Sequence, residues 1–289
     1  MSYFTIAGLQ MHALHHGDNT EAMRHRIDVL MSRFPQVQMV LFSELMPMGA
    51  SPHHAQPFPS HAEQLFCQIA EQYRIWLIPG SMFEKTDDGI YNTLSVINPH
   101  GQVVARYRKM FPFRPYEAGV ESGSEFVVFD VPNVARFGVS ICYDMWFPET
   151  TRTLAAMGAE VILHPTMTDT IDRDIELSIA RTNAAVNQCY FFDINGAGAI
   201  GNGRSIVVGP SGDVIHQAGT GEEVMPIEVD LNRVRRERET GLRGLGQPLK
   251  SFRDRAVDFS LYRSETGSSP FLDTLGPLQK PRRADIEEY

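Results

Sequence analysis

The chain has 289 residues, 43% of them hydrophobic and 21% charged, which is enough apolar material for one large packed domain. Its formal net charge of −9 speaks against a sequence-independent grip on nucleic acid, which needs a basic surface, and fits a protein that handles small molecules. The start MSYFTIAGLQ lacks the basic segment and apolar run of a secretory signal, and no apolar stretch approaches the roughly 20 residues that cross a bilayer. The three cysteines, Cys67, Cys142 and Cys189, are odd in number and far apart, so no disulfide framework is expected and a reducing cytoplasm is the default. The pairs His15–His16 and His53–His54 lack the clustered partners of a zinc site and read as surface residues.

In chain order, residues 4–11 read as a first strand, and Asp18–Asn19 can cap a helix with Met23, Ile27, Leu30, Met31 and Phe34 on one stripe. The run QMVLFSE is a buried strand ending on Glu44; a helix over about 61–73 leads into IWLIPGSMFE, read as one buried strand. A hairpin follows, from Tyr91 to Lys109, turning at Pro99-His100-Gly101. After the irregular KMFPFRPYEAGVESGSE, strands FVVFDV and ARFGVSI flank Pro132-Asn133, and the second runs into Cys142. Pro148 opens a helix closed by Gly158. Strand VILHPT, a helix over about 171–187, strand QCYFFDI, the hairpin SIVVGPSGDVIHQ, strand VMPIEVD and a helix over 231–239 complete the pattern. That last helix carries Arg233, Arg235, Arg236 and Arg238 interleaved with Glu237 and Glu239, and reads as a solvated face. One domain is expected over 1–250, with a C-terminal tail over 251–289, disordered or wrapped on a partner subunit.

Three polar residues end apolar strands: Glu44, Lys109 and Cys142. If those strands are neighbours, a carboxylate, an ammonium and a thiol converge, which is a complete set for acyl transfer. The thiolate is the nucleophile, and a helix N-terminus after Cys142 together with Lys109 would favour the anion. Glu44 would take the thiol proton, pass it to the departing amine and then activate water. Lys109 would stabilise the oxyanion beside the backbone N–H of Tyr143, on a scale of about 3 kcal/mol for one such donor. Cys67 and Cys189 read as small buried hydrophobes.

The segments LFSELMP, YRKMFPF and VSICYDMWFPE resemble the three signature regions of the nitrilase superfamily, the carbon–nitrogen hydrolases. The resemblance runs from about residue 3 to 240 and includes ARTNAAVNQCYFFDINGAG and RSIVVGPSGDVI. It implies a four-layer α-β-β-α sandwich, homo-oligomers based on a dimer paired through its helical faces into an eight-layer assembly, and no metal or organic cofactor. The family's catalytic glutamate, lysine and cysteine match Glu44, Lys109 and Cys142. Its second glutamate matches Glu117 in PYEAGVESG in preference to Glu121.

After the nucleophile, CYDMWFPET lacks the Trp-Glu of nitrile-cleaving members and the Asn-Asp-Arg of N-carbamoyl amino acid hydrolases. It is similar to the amidase group with Cys-Tyr-Asp-x-Arg-Phe-Pro-Glu, except that Trp146 stands at the Arg position, which weighs against a carboxylated substrate. Met110, Phe111, Phe113, Tyr143, Met145, Trp146 and Met167 are candidate pocket residues, with Tyr143, Trp146 and Met167 taken as substrate-binding. Arg173 and Arg181 are candidate anion holders, Arg181 reading better as an interface or ion-pair residue. The expected activity is hydrolysis of a small carboxamide to acid and ammonia through a cysteine thioester. The alternatives are N-carbamoyl or ureido hydrolysis, a nitrilase, and a scaffold that keeps the fold without catalysis.

Overall fold

The apolar runs become strands in two alternating blocks. In the first, β1 (Tyr3–Gln10), α1 (Thr20–Arg33), β2 (Met39–Phe42), α2 (His61–Tyr73), β3 (Trp76–Ile78), β4 (Ser81–Lys85), β5 (Ile90–Ile97), β6 (Val103–Arg108) and the short β7 (Val120–Glu121) succeed one another. The second holds β8 (Val127–Val131), β9 (Ala135–Val139), α3 (Pro148–Ala156), β10 (Val161–Thr166), α4 (Arg173–Asn187), β11 (Tyr190–Asn195), β12 (Ile206–Val208) and β13 (Val214–Gln217). The chain then returns through β14 (Glu223–Asp230) to α5 (Leu231–Thr240) and α6 (Pro248–Asp254). The computed structural model describes residues 3–263 apart from 13 and 15, together with 269–278 and 280. His15 and residues 264–268, 279 and 281–289 of the expected tail lie outside the described residues.

One sheet has the order β14-β1-β2-β3-β5-β4, with β6 and β7 also paired to β5; the other has the order β13-β12-β11-β10-β9-β8. Period-two burial explains how the sheets stack. Ile6, Met39, Leu41 and Ile78 of the first sheet meet Phe137, Val139, Leu163 and Phe192 of the second in one core. The opposite face of the first sheet buries Leu9, Phe42 and Leu77 against Met23, Ile27, Phe66 and Ile69 of α1 and α2. On the far side, Ile162, Phe191 and Val208 pack against Leu154, Leu177, Ala180 and Ala184 of α3 and α4. The fold is an α-β-β-α sandwich in one domain, as the resemblance implies. The last strand locks onto the first, with Tyr3 opposite Asp230 through to Gln10 opposite Glu223.

Local details differ from the sequence reading for identifiable reasons. Ser60 caps α2 by accepting the Glu63 N–H at 3.1 Å. At α1 the Asn19 side chain instead donates to the Met46 carbonyl, and Asp18 accepts the Thr20 N–H at 2.8 Å. The basic face of α5 is more than solvated: Arg233 pairs with Asp213, Arg235 with Glu160 and Arg236 with Asp230, fastening the helix to the second sheet and to the end of β14. The segment after residue 241 is not featureless either. In α6, Phe252 lies under the Arg152 guanidinium, and further on Tyr262 donates to Glu149. Among the described residues, no helix is long and apolar enough to cross a membrane.

The run IWLIPGSMFE is two strands, because Pro79 and Gly80 break the ladder. Gly80 has φ +84°, and a Cβ there would sit 1.9 Å from the Ser43 carbonyl oxygen, the residue before Glu44. This glycine therefore lets β3 turn against the chain that delivers the carboxylate. Gly80→Ala is expected to destabilise the fold by about 3 kcal/mol, from the combined backbone strain and clash, measured by chemical denaturation. A change within 0.5 kcal/mol, on the order expected of a neutral surface site, would show that the close approach does not constrain this joint.

Candidate active site

Glu44 follows β2, Lys109 follows β6 and Cys142 follows β9, so two sheets contribute. The three strands are not immediate neighbours, yet the side chains converge. Between β2 and β6 lie β3 and β5, and the gap is spanned by side chains. Lys109 Nζ donates to Glu44 Oε1 at 2.8 Å and to Glu117 Oε2 at 2.7 Å. Asn92, on β5, donates from Nδ2 to Glu44 Oε1 at 2.8 Å and more weakly to Glu117 Oε1 at 3.4 Å. The Phe113 N–H donates to Glu117 Oε2 at 2.5 Å, which holds the irregular loop over the lysine. Glu121 lies on β7, exposed, apart from this cluster.

Burial sets the electrostatics. Glu44 is 2%, Lys109 1% and Cys142 8% exposed. Desolvation raises the Glu44 carboxyl above its usual range, against the pull of Lys109 and with a push from Glu117. Burial would lower the Lys109 ammonium, but Glu44 and Glu117 hold it well above the ordinary lysine range. Burial would also raise Glu117, and Lys109 overrides it, so this carboxyl is lowered. The Cys142 thiol is pushed well above its ordinary value by desolvation and then by Glu44, with Lys109 opposing. This reverses the expectation of a thiolate stabilised at a helix N-terminus. Cys142 sits in a short 3₁₀ turn, Cys142–Trp146, and α3 begins only at Pro148. Two carboxylates and one ammonium already carry a net negative charge, so a proton leaving the sulfur has Glu44 as its acceptor.

Cys142 stands where two lobes of a cavity meet. One, of about 250 Å³, is lined by Glu44, Lys109, Glu117, Phe83 and Met167. The other, of about 360 Å³, is lined by Tyr143, Trp146, Met167, Thr168, Asp169, Asp172 and Glu176. Phe113 and Tyr116 border both lobes, with rings stacked at 5.0 Å, and Phe113 meets Tyr143 edge-on at 4.9 Å. Tyr143, Trp146 and Met167 thus face the cavity. Met145 is buried in the core beneath α4, Met110 packs on the inter-sheet core, and Phe111 stacks on Phe147, so none of these three lines it. A larger groove of about 440 Å³ between α3, α4 and the C-terminal segment is lined by none of Glu44, Lys109, Glu117 and Cys142; size alone does not find the site.

Arg173 is not available to a substrate anion. Its guanidinium is buried between Asp193 at 2.8 Å and Glu176 at 3.1 Å, and it also donates to the Arg204 carbonyl. Arg181 is exposed and donates to the Gly212 carbonyl at 3.3 Å. Sequence reasoning missed Asn92, Tyr116 and the acidic side of the second lobe. Asn92 had a signal: an amide inside the apolar strand IYNTLSVI is out of place unless it has a buried partner.

Comparison with known proteins agrees with this geometry. The carbon–nitrogen hydrolase family profile matches residues 6–239. Human omega-amidase NIT2 is 30% identical over 205 residues, 65% of this chain and 74% of its own length. N-carbamoylputrescine amidase of Solanum lycopersicum is 30% identical over 251 residues, 75% of this chain and 78% of its own. The crystal structure of Saccharomyces cerevisiae Nit3, a member of the nitrilase superfamily, superposes with a TM-score of 0.75 at 26% identity, covering 82% of this chain and 94% of that one. The chain belongs to the carbon–nitrogen hydrolase family. It is an enzyme of amidase type, a hydrolase of carbon–nitrogen bonds.

Beneath Cys142, His164 on β10 is fully buried, its Nδ1 2.7 Å from Ser140 Oγ. Desolvation lowers this imidazole to about 4. Between pH 6.5 and 4 the unfolded chain binds the proton that the folded chain refuses, so stability falls as pH drops through that window. The loss expected from His164 is about 3 kcal/mol. Asp144, raised to about 6 by burial, acts in the opposite sense between its ordinary value and 6. Comparing urea unfolding of wild type and His164→Asn at pH 7 and pH 4 isolates the imidazole. The variant should lose markedly less stability on acidification; equal losses would contradict a buried neutral histidine.

Proposed function

We propose that this enzyme hydrolyses a small primary carboxamide to acid and ammonia through a thioester on Cys142. The observation that carries the reading is the Glu44–Lys109–Glu117 cluster opening, with Cys142, into one cavity. Glu44 Oε1 receives both Lys109 and Asn92. Its other oxygen is the one to exchange protons. As the substrate carbonyl approaches, the thiol proton passes to Glu44 and sulfur attacks the carbon. The oxyanion is stabilised by Lys109 and the Tyr143 N–H, while Glu117 keeps the ammonium in place. Glu44 returns the proton to the departing nitrogen, ammonia leaves, and the thioester remains. Glu44 then takes a proton from water, hydroxide adds to the thioester, and the proton returns to sulfur as the acid leaves.

Phe113, Tyr116, Tyr143, Trp146 and Met167 suit a short or aromatic acyl group. Asp169, Asp172 and Glu176 in the second lobe disfavour an acyl group that carries its own carboxylate, by like-charge repulsion. The same acidic wall favours one second reading, hydrolysis of an N-carbamoyl amine with release of ammonia and carbon dioxide. The relative named N-carbamoylputrescine amidase adds weight to it. The exposed Ile175 and Val186 on α4 support a homodimer paired through this helical face, and three free cysteines suit a reducing cytoplasm.

The test is a substrate panel of primary carboxamides with neutral, cationic and anionic acyl groups, N-carbamoyl amines and nitriles, scored for ammonia and carbon dioxide. Neutral or cationic carboxamides should exceed anionic ones in kcat/KM by at least about tenfold, with no carbon dioxide. Faster turnover of N-carbamoyl amines with carbon dioxide release would replace the first reading by the second. Preference for an anionic amide would contradict both.

A further inference from the structure

Asp144 is wholly buried two residues after Cys142, in the same 3₁₀ turn, and the reaction above gives it no chemical step. Its two oxygens nevertheless collect three donors from two distant segments. Oδ2 accepts from the Tyr107 hydroxyl at 2.6 Å and from the Ile141 N–H at 2.8 Å, while Oδ1 accepts from the Phe111 N–H at 2.9 Å. Tyr107 stands two residues before Lys109, Phe111 two after it, and Ile141 directly before Cys142. One carboxylate therefore joins the chain on both sides of the lysine, at the edge of the first sheet, to the chain that enters the nucleophile from the second. The Met110 N–H adds a bond to the Tyr107 hydroxyl at 3.3 Å, and Phe111 stacks on Phe147 at 3.6 Å beside it.

The nucleophile needs such a tie. Cys142 has φ +48°, a left-handed conformation that a side-chain-bearing residue keeps only when its surroundings impose it. The Ile141 N–H bond to Asp144 and the Asp144 N–H bond to the Ile141 carbonyl, at 3.0 Å, close the turn around it.

We propose that Asp144 and Tyr107 are a positioning pair that fixes the Cys142 sulfur relative to the Lys109 ammonium, so that turnover depends on their hydrogen bond beyond its effect on folding. The proposal rests on the roles given above to Cys142 and Lys109. It follows from acceptor geometry: asparagine has the same shape as aspartate but one acceptor, and its amide would face an N–H or hydroxyl donor. Burial raises the Tyr107 hydroxyl well above its ordinary value and Asp144 adds to this, so the phenol stays a donor throughout the working range.

Full-length Tyr107→Phe, Asp144→Asn and the double variant test this, with kcat and KM on the best carboxamide of the panel, melting temperature, and the rate of Cys142 alkylation by iodoacetamide. Each single variant should lose about 10²-fold in kcat with KM changed less than about threefold, and alkylation should slow in parallel. The double variant should be no slower than the slower single one, because both remove the same tie. A lowered melting temperature with kcat per folded molecule within twofold of wild type would overturn the proposal, as would losses that multiply in the double variant. Should Asp144→Asn fail to fold, Tyr107→Phe decides. Alkylation that proceeds without loss of amide turnover would instead strike the assignment of Cys142, leaving the two failures distinguishable.

Discussion

Two carboxylates and one ammonium are held together, largely buried, at the wall of the cavity beside Cys142, and the rest of the architecture serves that arrangement. Isolated, each charge would be costly to bury; together they satisfy one another at 2.7 and 2.8 Å. The surplus negative charge has a chemical consequence. A thiolate beside an ionised Glu44 is disfavoured, so the nucleophile forms as its proton moves to that carboxylate. Burial that would paralyse an isolated cysteine becomes, with a base in contact, a way of withholding the anion until an acyl group arrives.

Holding these groups together requires a sandwich of two sheets. Glu44 and Lys109 come from the first sheet and Cys142 from the second, and the inter-sheet core of Leu41, Ile78, Phe137 and Leu163 keeps the two in register. Smaller ties adjust the joint locally. Gly80 admits the Ser43 carbonyl, Asn92 bridges Glu44 and Glu117, and Asp144 links the chain around Lys109 to that around Cys142. Catalytic geometry is thereby distributed over residues that never touch a substrate.

Much of this was legible in the sequence because strand ends are punctuated. QMVLFSE and ARFGVSIC stop on Glu44 and Cys142 after apolar runs, and period and turn residues located most elements. What was hidden depends on distance between segments. That Asn92 reaches Glu44, that Arg173 is absorbed by Asp193 and Glu176, and that Cys142 lies in a 3₁₀ turn ahead of α3 are all consequences of packing, to which single-strand patterns are blind. The break at Pro79-Gly80 is written in the residues, but the apolar runs on either side of it read as one continuous strand. The helix α6 escaped because it is short and buries no residue, so it has no apolar stripe to read.

The central claim is that one sulfur bonds to the substrate carbon while Glu44 carries its proton. Intact-mass and peptide mapping of enzyme quenched during turnover of a primary carboxamide tests it most directly. The account predicts an added mass equal to the acyl group less the displaced hydrogen, found on residue 142 of the wild-type enzyme, with both the adduct and ammonia release suppressed in Glu44→Gln because Glu44 carries the proton in acylation as well as in deacylation. Turnover with no covalent adduct at residue 142, or an adduct on Cys67 or Cys189 instead, would contradict it.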